Sequence, residues 1–147
     1  MKKLLICLSL LSISVSSMAN DKVYKCESSS EINGVLIKDA TISFSKGFRD
    51  SISKADLVVR SEVGVLLETS FRSLRIAERT KNVVMDGTNN SRINPFGDAE
   101  YLILAGLREK IDFDELAPAL ALKYESISGP VGNRGGSSFL LECSLEN

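Results

Sequence analysis

Histidine and tryptophan are both absent from the 147 residues, and cysteine occurs only three times. The missing imidazole removes whole classes of chemistry, because a Ser-His-Asp triad, a Cys-His pair and a histidine metal site all depend on it. The missing indole argues against an outer-membrane barrel, which carries aromatic girdles and lipid-crossing strands of about ten residues. Charge of one sign is lacking as well. With 18 basic and 19 acidic side chains, the chain has no bias toward the clustered basic surface of a nucleic-acid binder. No cofactor and no metal ion is expected from this composition.

One extended apolar stretch is present, Leu4 to Val15, interrupted by Ser9, Ser12 and Ser14. It follows the basic start Met1-Lys2-Lys3 and precedes Ser16-Ser17-Met18-Ala19, with small residues at the first and third positions before a cut after Ala19. This is the three-part layout of a secretory signal peptide. A membrane anchor needs about 20 mostly apolar residues, more than this serine-laced run provides. Residues 1–19 are therefore read as a cleaved signal, and residues 20–147 as one domain, periplasmic or secreted, with no integral span after cleavage. The signal takes Lys2 and Lys3 with it, leaving 16 basic against 19 acidic side chains.

Cys7 departs with the signal, and Cys26 and Cys143 remain. In an oxidising compartment such a pair forms a disulfide. Closing so long a loop restricts the unfolded chain by roughly 4–5 kcal/mol in the loop-entropy treatment. The competing reading, reactive or metal-binding thiols, finds neither a CxxC spacing nor a histidine to support it.

Along the chain the dominant signal is two-residue alternation, the period of a half-buried strand. In Thr41-Ile42-Ser43-Phe44-Ser45 the two apolar residues face one way and the hydroxyls the other. Asn33-Gly34 is a hairpin dipeptide, and Ser61-Glu62 marks a turn between two further candidates. From Ser73 to Arg79, Leu74 and Ile76 are expected to point inward. Val83-Val84-Met85 is short and stopped by Asp86-Gly87. Gly87 to Asp98 and Ser128 to Ser138 carry the turn chemistry of long loops. Ala99 to Lys110 is open to a helix capped by Asp98 or to a strand at Tyr101 to Leu107; the strand is preferred because its neighbours are strands. Asp112 to Pro118 reads as a turn or a single helical turn. Leu120, Leu122 and Tyr124 share one face, and Phe139 to Leu145 closes the chain. The whole is all-β: a small antiparallel meander of about eight strands, a closed barrel or a sandwich, with terminal strands joined by the disulfide.

The candidate chemical groups each have a plainer reading. Asp112, Asp114 and Glu115 offer carboxylates for a hydrolase but sit close together, as in a solvated turn. Asp86, Asn89 and Asn90 lack the alternating ligands of a calcium loop. Gly129 to Ser138 resembles a phosphate loop but has Gly136 where lysine is required. Arg75 and Arg79, with Lys81 and Arg72 nearby, are expected to form a basic stripe on an exposed strand face. Together with Asn89, Asn90, Arg92, Asn133 and Arg134 in the two long loops, they are the candidate binding residues.

Tyr24-x-Cys26 near the start of the exported chain, with Cys143 near its end, is similar to the layout of the small periplasmic lysozyme inhibitors of the membrane-bound C-type family, which are compact β-barrels. The similarity covers the termini and the size. Ser128-Gly129 stands nearest to that family's Ser-Gly loop, but Pro130 and Val131 follow it, and membership is not assigned. The expected function is a non-enzymatic exported barrel that binds a protein or an envelope component. The alternatives are a lipocalin-like carrier of an apolar ligand and a carboxylate-dependent hydrolase.

Overall fold

A computed structural model describes residues 21–87, 99–127 and 136–147. The proposed signal, residues 1–19, lies outside the described residues, as do 88–98 and 128–135 of the two long loops. The described residues form ten strands: β1 (Lys22–Glu27), β2 (Glu31–Ile32), β3 (Val35–Leu36), β4 (Asp39–Lys46), β5 (Ile52–Ser61), β6 (Gly64–Ile76), β7 (Val83–Gly87), β8 (Ala99–Leu104), β9 (Ala119–Ile127) and β10 (Ser138–Leu145). All but β2 and β3 close into an eight-stranded antiparallel barrel in which β4 to β10 follow chain order and β1 fits between β10 and β4. The choice between barrel and sandwich is thus settled as a barrel.

Alternation builds the wall. In β4, Ala40, Ile42 and Phe44 are buried while Thr41, Ser43 and Ser45 are only partly covered. The same period places Ala55, Leu57 and Val59 of β5 and Leu122 and Tyr124 of β9 inside. A barrel of eight strands is just wide enough for side chains to fill, and aromatic rings fill this one. Tyr24 meets Phe44 edge-on at 5.7 Å, Phe71 meets Tyr124 edge-on at 6.3 Å, and Tyr124 stacks on Phe139 at 4.8 Å.

The seam lies between the first and last strands. Cys26 stands directly opposite Cys143 in the β1–β10 register, and the two are bonded with their Cα atoms 4.0 Å apart. Both side chains face the interior, so the bond staples the seam from inside.

Each end of the barrel is covered. At one end the β2–β3 hairpin, turned by Asn33 (φ 52°) and Gly34 (φ 78°), buries Ile32 and leads on to the buried Ile37. Two successive positive φ values are what a type I′ hairpin turn requires, and Asn-Gly supplies them at least strain. At the other end the short 3-10 turn Phe113–Glu115 packs Phe113, and Leu116 just after it, against the core. Lys22 Nζ donates to Phe113 O at 2.9 Å and Tyr24 OH donates to Ala117 O at 2.8 Å, tying this plug to β1.

Three expectations change. The strand preferred within 99–110 exists but spans Ala99–Leu104, ending before Leu107. Ile76, expected inside, is 41% exposed. Ser73 takes a positive φ of 49° where the β6–β7 register shifts between Arg72 and Leu74. That bulge moves the inward parity from Phe71 to Leu74; Ile76 keeps the parity of Leu74 but is the last residue of the strand, where cover ends. Arg79 and Lys81 then fall in the connection to β7, so the expected stripe is not a single strand face.

Candidate functional site

The outer wall is polar over β4 and β5, as a solvated sheet face should be. Over β7 and β8 it is not. Val83 and Met85 point inward, and Val84, of opposite parity, lies on the outside yet is only 4% exposed. Register places Arg75, Val84, Ile103 and Lys123 in one row across β6 to β9. Arg72, Asp86, Tyr101 and Glu125 form the adjacent row. The result is an apolar centre with charged flanks.

The flanks pair among themselves. Arg75 grips Asp86 with two nitrogens, at 2.5 Å and 2.6 Å, and this carboxylate holds the guanidinium above its ordinary pKa. Lys123 donates to Glu125. The β6–β7 connection is fastened beside them, because Arg108 donates to Thr80 O at 2.9 Å and to Asn82 Oδ1 at 2.5 Å. Together these elements enclose an open groove of about 880 Å³ whose lining includes Val84, Ile103, Tyr101, Arg75 and Arg79. An apolar floor with a few placed polar groups is the usual composition of a binding surface.

Of the candidate binding residues, the structure brings Arg75 and Arg79 to this groove. Asn89, Asn90, Arg92, Asn133 and Arg134 lie outside the described residues. The strand ends that carry their loops, Gly87, Ala99, Ile127 and Ser138, all leave the same end of the barrel. Val84, Tyr101 and Ile103 were not among the candidates. Their signal is nevertheless in the chain: Val83-Val84-Met85 and Tyr101-Leu102-Ile103-Leu104 do not alternate, and a strand apolar on both faces calls for cover on both.

A second polar cluster lies inside. Glu100 is buried at 5% exposure, directly opposite Ser126 in the β8–β9 register. Thr69 Oγ1 donates to its Oε2 at 2.6 Å and Tyr124 OH donates to its Oε1 at 2.8 Å. Two hydroxyl donors offset the desolvation of a buried carboxylate. Burial, reinforced by the adjacent carboxylate of Glu100, pushes the Tyr124 phenol well above its ordinary pKa.

The acids considered for hydrolysis have structural tasks. Asp112 and Glu115 cap the 3-10 turn reciprocally, and Asp114 pairs with Lys46 at 3.1 Å. Asp86, considered for calcium, is held by Arg75. Among the described residues no group of three or more acids or cysteines is placed to hold a metal ion. The space that a lipocalin-like carrier keeps open is occupied along these strands by Tyr24, Phe44, Phe71, Tyr124 and the surrounding leucines. No family model matches the chain, and neither a curated protein nor a solved structure matches it.

Proposed function

We propose that this chain is an exported binding protein without catalytic activity, acting in the periplasm or outside the cell and recognising a protein or an envelope component. The single observation that carries the reading is the apolar-floored groove across β6 to β9 of the barrel wall. Its floor of Val84 and Ile103 is rimmed by charges already paired to one another. A filled interior supports surface recognition over carriage. The three-part pattern of residues 1–19 supports export, and the disulfide is compatible with an oxidising compartment.

The test is retention of partners from periplasmic extract on the immobilised protein. Ile103→Asp and Arg79→Glu, introduced singly, are expected to reduce the retained species several-fold, because interface energy concentrates in a few central contacts. An unchanged set of retained species with both variants overturns the reading.

A further inference from the structure

The connection between β4 and β5 carries a side-chain arrangement that hairpin formation does not explain. Phe48 at its apex is 82% exposed, the most exposed aromatic residue among those described. Arg49 (φ 53°) and Asp50 (φ 61°) both take left-handed backbone, and Ser51 N–H closes the turn onto Phe48 O at 3.2 Å. This is the type I′ pattern, which ordinarily takes Asn, Asp or Gly at its centre. Asp50 conforms to that preference. Arg49 is a long side chain in a conformation that costs it energy.

The turn is nevertheless held in one shape. Gly47 N–H donates to Ser51 O at 2.7 Å, and a Cβ at Gly47 would come within 2.6 Å of Ser51 Oγ and 2.8 Å of Ser53 Cβ. Lys46 is drawn between Asp50 at 2.6 Å and Asp114 of the plug at 3.1 Å. Those contacts use the lysine charge and both carboxylates. The Arg49 guanidinium lies 5.2 Å from the centroid of the Phe48 ring and makes no hydrogen bond or ion pair with another described residue.

We propose that Phe48 and Arg49 form a preorganised recognition tip that inserts into an apolar pocket rimmed by carboxylates on a partner protein. Phenylalanine and arginine are both enriched at protein–protein interfaces relative to the rest of a protein surface, and a tip already ordered loses little entropy on docking. The Arg49 charge, unpaired among the described residues, selects a negative rim. A membrane surface fits less well, since a single aromatic residue is a weak anchor and Asp50 and Asp114 offset the positive charge of Lys46 and Arg49 beside it, leaving no polybasic patch for anionic headgroups. The tip lies on strands other than those of the groove, so the two readings fail separately.

The test places a benzophenone amino acid at position 48 of the full chain, in cells that naturally make the protein, and identifies the light-induced adduct. The adducted protein is then purified and titrated with wild type, Phe48→Ala, Phe48→Tyr and Arg49→Gly. Phe48→Ala and Arg49→Gly are expected to bind about tenfold or more weakly and Phe48→Tyr nearly as wild type. Arg49→Gly relieves the turn, so its melting temperature should equal or exceed that of wild type; loss of binding in a more stable protein is not what a structural role produces. The adduct should persist in Ile103→Asp. No adduct, an adduct only with lipid or with a second copy of this chain, or equal binding by the variants overturns the proposal. So does Phe48-dependent binding to vesicles of phosphatidylglycerol and phosphatidylethanolamine.

Discussion

At the scale of single residues, the Glu100 cluster makes the most definite demand. Its two hydroxyl donors come from β6 and β9, so the cluster links strands that are not neighbours in the barrel. Replacing Tyr124 by Phe keeps the ring and removes one donor, and it should cost about 1–3 kcal/mol at neutral pH. The same phenol sets an alkaline limit. Tyr124 and, through burial, Tyr24 have pKa values raised above 10.0 in the fold. The folded state therefore keeps protons that the unfolded chain releases at about pH 10. That contribution is complete below pH 10 and is lost as pH rises above it. Urea titrations at neutral and alkaline pH should show stability falling above about pH 10, with a shallower fall for Tyr124→Phe. An identical slope in that variant would sink the assignment. Alternation makes the inward side of Glu100 legible, since Leu102 and Leu104 share its parity. Its hydroxyl partners are 31 and 24 residues away, which no local pattern reports.

At the scale of elements, a two-stranded hairpin and a single 3-10 turn cover the ends of the barrel. The turn Phe113–Glu115 is held by its capping box and by Lys22, and it presents Phe113 at 3% exposure to the core. Phe113→Ala should destabilise by about 3–5 kcal/mol, as other large-to-small core changes do, measurable as a lower urea midpoint with an unchanged slope. A loss below ~1 kcal/mol would mean that the plug does not seal the end. The turn itself was readable from Asp112 to Pro118. Its task was not, because the contacts of Lys22 with it span more than ninety positions. The bulge at Ser73 was hidden for a related reason: nothing in Arg72-Ser73-Leu74 favours positive φ, and pairing with β7 imposes it.

At the scale of the whole molecule, the seam governs stability. The bond spans 117 positions, and its removal by Cys26→Ser with Cys143→Ser should cost roughly 4–5 kcal/mol through the freed unfolded chain. Equilibrium unfolding in the presence and absence of reductant checks this, with circular dichroism confirming a sheet-dominated fold in the bonded form. A midpoint indifferent to reductant would show that backbone pairing alone holds the seam. The groove also belongs to this scale, for its two rows draw one side chain from each of four strands.

What the amino-acid order determined alone was local or compositional: the strand class from the two-residue period, the hairpin at Asn33-Gly34, the pairing of Cys26 with Cys143, and the exclusion of imidazole chemistry. Tertiary structure decided barrel over sandwich, since closure depends on β1 finding both β10 and β4. It also gathered Val84, Tyr101 and Ile103 into one surface, and it left Phe48 exposed on a hydrogen-bonded turn. Local preferences act over a few residues. Which faces remain uncovered is decided only when every strand has chosen its neighbours.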